Sequence, residues 1–108
     1  MNNFDETIKS PIPTLVDFYA VWCGPCKMQS PILEEVKKEV GDIATVIKID
    51  VDANRELAAR YRVQSIPTLI MFKNGEPVWR AVGLQQADVL VGKIRAFQHT
   101  GSDEESNK

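Results

Sequence analysis

The chain has 108 residues, of which 44% are hydrophobic and 26% charged, a composition that suits one globular domain with one modest core. Its 13 lysines and arginines against 15 acidic residues give a net charge of −2, and the basic residues are scattered from Lys9 to Lys108, so neither nucleic acid nor an acidic membrane is an expected partner. No stretch approaches the roughly 20 apolar residues of a membrane span, the segment from Met1 to Glu6 has no basic region followed by an apolar one, and a starting Met1 favours the cytoplasm as compartment.

Residues 3 to 9 have the spacing of a short helix, with Asn3 as cap and Phe4, Thr7 and Ile8 on one side, ending before Ser10-Pro11-Ile12-Pro13. Residues 14 to 20 are a nearly continuous apolar run, interrupted by Asp17, that fits a central strand buried on both faces. From Gly24 to about Val40 the apolar residues Met28, Ile32, Leu33, Val36 and Val40 recur at helical spacing, with Glu34 and Lys38 placed to pair four apart. Pro31 lies inside this helix, where it removes a backbone bond and should bend the axis.

Gly41-Asp42 ends the helix, and residues 44 to 50 read as a second central strand that contains Lys48. Asn54 is the expected cap of a helix through Tyr61, which Arg62 follows. Residues 68 to 72 and 77 to 82 are expected to pair antiparallel across an Asn74-Gly75 hairpin turn, with Pro77 marking the returning strand as an edge. A last helix over 86 to 98 puts Leu90, Ile94 and Phe97 on one face, with Gln86 as a poor cap. The domain is therefore drawn over 1–98, and 99–108 is expected to be a disordered polar tail with nothing to bury.

Both cysteines stand in Trp22-Cys23-Gly24-Pro25-Cys26-Lys27, where the strand pattern gives way to the helix pattern. A thiol at a helix start meets unpaired N–H groups and the positive end of the dipole, which favour thiolate. Pro25 suits a first helical turn, and Gly24 is expected to let the backbone turn tightly. A structural staple is a weaker reading, because closing four residues is worth only about 2 kcal/mol against roughly 4.7 for a hundred-residue loop. Zinc usually takes four ligands, and the single histidine, His99, lies in the polar tail with no second cysteine pair. Redox chemistry is the preferred reading of a CxxC beside a βαβ pattern.

Asp17-Phe18-Tyr19-Ala20-Val21 followed by Trp22-Cys23-Gly24-Pro25-Cys26-Lys27 resembles the active-site segment of thioredoxins. The resemblance continues through Pro31, Lys48-Ile49-Asp50, Ser65-Ile66-Pro67-Thr68, Phe72-Lys73-Asn74-Gly75 and Val82-Gly83, over roughly residues 4 to 98. It implies an α/β thioredoxin fold: a central mixed four-stranded sheet flanked by helices. The family's N-terminal strand is expected to be absent, because too few residues precede Thr14 to build it.

It also implies a thiol-disulfide oxidoreductase that reduces disulfides of protein substrates, needs no cofactor and is kept reduced by a thioredoxin reductase. Cys23 would attack the substrate disulfide and Cys26 resolve the mixed disulfide, with Cys23 the exposed sulfur and Cys26 the shielded one. Asp17 corresponds to the family's buried aspartate, which takes the proton of Cys26, and Lys48 would lie near it and limit its rise in pKa. Pro67 would be a cis-proline facing the disulfide, leaving the Ile66 backbone open to an extended substrate segment. Trp22, Gly24, Pro25, Ile66, Gly83 and Leu84 would border that docking patch.

The chain departs from the family at Tyr19, Val21 and Arg62, and Trp79 has no role to inherit. A binding module that uses only the apolar patch, or an oxidase or isomerase on the same fold, are the alternative functions. The missing first strand leaves the 44 to 50 strand as an edge, expected to be covered by residues 1 to 13 or used in weak self-association of an otherwise monomeric protein.

Overall fold

The computed structural model describes residues 3–98, so the expected tail over 99–108 lies outside the described residues. Helix α1 spans Asn3–Ile8, β1 Thr14–Tyr19 and α2 Gly24–Val40, which runs into a short 3-10 turn over Gly41–Ile43. Next come β2 over Thr45–Asp50, α3 over Arg55–Arg60, β3 over Thr68–Lys73, β4 over Glu76–Val82 and α4 over Ala87–Gln98. The four strands form one mixed sheet in the order β2-β1-β3-β4, with β1 parallel to β2 and the other pairs antiparallel.

Strand alternation divides the core in two. Leu15, Val46, Leu69 and Met71 face α2 and α4, where they pack with Leu33, Val36, Val40, Leu90 and Ile94. Val16, Phe18, Ile70 and Phe72 face the other way, toward Phe4 and Ile8 of α1 and Leu57 of α3. β1 and β3 bury residues on both faces because helices cover both, which is why their sequences are continuously apolar. The Asn-Gly turn behaves as read, with Asn74 at φ 56° and Gly75 at φ 85°. Trp79 on β4 is half-buried against the α2/α4 core and has the Lys93 ammonium 5.9 Å from its ring centre.

Several local expectations change. Met28 is 60% exposed, and the buried stripe of α2 is Cys26, Gln29, Leu33, Val36 and Val40. Those steps of three and four residues pass through a polar side chain, because the sheet and the loop before α4 select the helix face. Glu34 pairs with Lys37 at 3.6 Å rather than with Lys38, on an exposed face where the contact is worth little. Asn54 stands at the start of α3 without a side-chain cap; its amide donates instead to the Asp50 carbonyl at 3.1 Å.

Arg62 takes the left-handed conformation that glycine usually supplies after a helix, with φ 56° and the Val63 N–H bonded to the Ala58 carbonyl. The Arg80 guanidinium donates to the carbonyls of Tyr61 and Arg62 at 2.7 and 3.0 Å, supporting that turn from β4. Among the described residues the N-terminal segment does not cover the free edge of β2, the first of the two uses expected for that edge. α1 lies on the sheet face, with Phe4 edge-on to Phe72 at 5.6 Å, and the backbones of Ile8 and Ser10 accept bonds from Gly75 and Asn74. Among the described residues, β1 is the only strand that pairs with β2.

Candidate active site

β1 runs out at Tyr19, and Cys23 turns the chain with its N–H bonded to the Ala20 carbonyl at 3.2 Å. Cys23 is the N-cap of α2, in extended conformation, and its Sγ accepts the backbone N–H of Cys26 at 3.2 Å. A cap ordinarily supplies oxygen to this orphan donor, and here sulfur does so. The two cysteines are joined in a disulfide with Cα atoms 5.3 Å apart, within the span that a disulfide bridges. Pro25 lies in the first helical turn, where its missing N–H costs nothing.

Gly24 does not serve as a strained turn: its φ is not positive, and a Cβ at this exposed position would meet nothing within 4 Å. The expected contrast in exposure is also absent. Cys23 is 5% exposed and Cys26 3%, so what separates the two sulfurs is the helix N-terminus and not solvent contact.

One further segment closes around Cys23, and a second braces it. The Ile66 carbonyl oxygen lies 3.8 Å from Cys23 Sγ, and the Ile66–Pro67 peptide is cis. The Pro67 carbonyl accepts the Gly83 N–H at 2.8 Å, and Gly83 has φ 93°, a conformation that explains the residue type there. Pro67 is buried, Ile66, Gly83 and Leu84 are half-buried, and Trp22 and Pro25 are exposed. The Trp22 indole, 67% exposed, is anchored by its N–H to Asp52 Oδ2 at 2.8 Å. Its chain neighbour Val21 and the Val82 that precedes Gly83 are also mostly exposed, which extends the apolar surface at both borders.

Asp17 follows Leu15 on the β1 face that looks toward α2. It is fully buried, and neither carboxyl oxygen has a hydrogen-bond partner among the described residues. Desolvation pushes its pKa up to about 6, against the opposing pull of the Lys48 charge. Lys48 is the register partner of Asp17 on β2, which accounts for that pull. Its ammonium donates to Ser30 Oγ on α2 at 2.9 Å and sits 4.5 Å from the Tyr19 ring centre. Lys48, Ser30 and Tyr19, with Ala20, Val21 and Lys27, line a cavity of about 310 Å³ that reaches Cys26. Among the described residues no cluster of three or more His, Cys, Asp or Glu side chains could hold a metal ion.

Asp52, Ser30, Gln29 and Gln85 escaped the sequence reading. Asp52 and Ser30 meet Trp22 and Lys48 only across the fold, so no local pattern marks them. Gln29 had a signal, since it continues the spacing of Cys26, Leu33 and Val36 better than Met28 does.

A family model described as Thioredoxin matches residues 1–96. A thioredoxin-like protein of Synechocystis is 49% identical over 96 residues, covering 88% of this chain and 91% of its own. The thioredoxin of Staphylococcus saprophyticus is 52% identical over 93 residues, covering 86% of this chain and 88% of its own. Among solved structures, a mutant thioredoxin from Halobacterium salinarum superposes with a TM-score of 0.81 at 42% identity, over 88% of this chain and 82% of that one.

Proposed function

Because the chain belongs to the thioredoxin family and is a thiol-disulfide oxidoreductase acting on protein disulfides, we propose a division of labour in which Cys23 attacks and Cys26 resolves. The observation that carries it is the bond from the Cys26 N–H to Cys23 Sγ at the start of α2. In the reduced protein a Cys23 thiolate keeps that donor and the positive end of the helix dipole, whereas Cys26, inside the first turn, has neither. The Cys23 thiolate attacks one substrate sulfur, the substrate S–S bond breaks and a substrate thiolate leaves. Cys26 gives its proton to Asp17, directly or through water, and attacks Cys23 Sγ. The mixed disulfide then breaks, the second substrate thiolate departs, and the protein holds the Cys23–Cys26 disulfide with the substrate two electrons richer.

Burial and the upward shift of Asp17 support its role as acceptor of that proton near neutral pH, and Lys48 keeps the carboxylate accessible by opposing the shift. The substrate segment docks on Trp22, Gly24, Pro25, Ile66, Pro67, Gly83 and Leu84, a reading supported by the exposed indole and by the Ile66 carbonyl beside Cys23. The next turnover draws electrons from a thioredoxin reductase, in a reducing compartment of the cytoplasmic kind. The active unit spans 1–98 with 99–108 as a tail, and works as a monomer or with weak self-association.

Reduced Cys26→Ser mixed with insulin should accumulate a mixed disulfide, and Cys23→Ser should form none. In the parent, alkylation should modify Cys23 before Cys26. Equal alkylation rates, or mixed disulfide forming on Cys26 alone, would refute the assignment of roles.

A further inference from the structure

Gln29 is fully buried, lies on the same face of α2 as Cys26, and has no part in the exchange chemistry. Its amide holds the backbone of Gln85 as a paired strand would: Nε2 donates to the Gln85 carbonyl at 2.9 Å and Oε1 accepts the Gln85 N–H at 2.8 Å. Residues 83 to 86 belong to neither β4 nor α4, so they lack the repeating bonds that fix a regular element. Within this loop, Gln85 Nε2 donates to the Gly83 carbonyl at 3.1 Å, and the Gly83 N–H donates to the Pro67 carbonyl at 2.8 Å. The preceding carbonyl, that of Ile66, is the one beside Cys23 Sγ. The contacts therefore form a closed ring from Cys23 along α2 to Gln29, across to Gln85 and Gly83, and back through Pro67 and Ile66.

We propose that Gln29 is a positioning residue for protein substrates, clasping the 83–85 loop to the helix that carries the cysteines and setting the gap between the Ile66 backbone and Cys23. An extended substrate segment must fit that gap, whereas a small disulfide needs only access to Cys23. The inference rests on the docking surface proposed above. A core-filling role would be met by any side chain of the same volume; the clasp requires one donor and one acceptor on a neutral group.

The test is the steady-state reduction of insulin and of bis(2-hydroxyethyl) disulfide by Gln29→Met, which keeps length and burial but leaves the Gln85 N–H and carbonyl unpaired, with Trp22→Ala measured beside it. For Gln29→Met the insulin KM should rise about fivefold, with kcat and the small-disulfide KM moving less than about twofold. Gln29→Glu retains an acceptor for the Gln85 N–H but sets a carboxylate oxygen against the Gln85 carbonyl, and should raise the insulin KM at least as much as Gln29→Met. An unmoved insulin KM in Gln29→Met beside a raised one in Trp22→Ala overturns the clasp and leaves the docking surface standing. If neither variant moves the insulin KM, the docking surface falls and the clasp with it. Equal losses on both substrates show a general structural role and also overturn the proposal. Should Gln29→Met not fold, Gln29→Glu decides the matter by the same criterion, a raised insulin KM with the small-disulfide KM unchanged.

Discussion

Asp17 and Gln29 are both polar, both wholly buried, and on layers that meet beside the cysteine pair, yet their surroundings are opposite. Around Asp17 none of the described residues offers a hydrogen bond to either oxygen, so the charged form is penalised and the group holds its proton to about pH 6. Around Gln29 the loop before α4 meets donor with acceptor and acceptor with donor. The difference teaches that buried polarity is suited to two jobs. An unpaired ionisable group costs stability and supplies a proton site, whereas a paired neutral amide contributes stability and supplies position.

The largest expected effect that sharpens this contrast comes from Asp17→Asn. Below about pH 3.8 the carboxyl is protonated in both folded and unfolded chains and carries no charge penalty. Between that value and about 6 the native state binds more protons than the unfolded one, so the stability contribution of Asp17 falls as pH rises. Above about 6 the full penalty persists, on the order of 3 kcal/mol at 1.4 kcal/mol per pH unit of displacement. Asp17→Asn should therefore gain stability relative to the parent on going from pH 3 to pH 8, by up to that amount in urea midpoints, while resolving mixed disulfides more slowly. A variant with no pH-dependent gain and unchanged resolution would place Asp17 among ordinary solvated carboxylates.

Gln29→Met should move in the other direction. Two paired backbone groups lose their partners, a loss of about 2 kcal/mol. An amide does not titrate, so the loss should be the same at pH 3 and pH 8. A pH-dependent loss would mean that the Gln29 contact is coupled to the Asp17 charge and would break the separation between the two sites.

Thr14 supplies the smallest and simplest comparison, being fully buried on β1 with a hydroxyl that has no partner among the described residues and cannot ionise in this range. Thr14→Val keeps the shape and removes the orphan group. It should raise stability by about 1 kcal/mol at both pH values and leave disulfide exchange untouched. A destabilised Thr14→Val, read from the same urea curves, would reveal a bond to that hydroxyl.

The sequence by itself determined whatever rests on neighbours in the chain. The cysteine pair at a strand-to-helix junction, the Asn74-Gly75 turn and the order of strands and helices depend on spacings of two to four residues, and sulfur capping of α2 follows from the same short range. Trp22, Ile66 and Gly83, proposed above as docking residues, were singled out through family resemblance alone, since nothing local distinguishes Gly83 until its φ of 93° is seen. Only the tertiary structure decided that the polar Gln29, whose spacing fits the buried stripe of α2, is buried in place of the apolar Met28, because the Gln85 backbone, 56 residues away, requires a donor and an acceptor at that point. It likewise placed α1 on the sheet face instead of along β2, because Phe4 finds aromatic partners in Tyr61 and Phe72 there. It held Arg62 in a glycine's conformation because Arg80, from another strand, bonds to the carbonyls of that turn. Hydrophobic spacing records that a side chain is apolar; whether a polar one is buried depends on a partner that only the folded chain brings within reach.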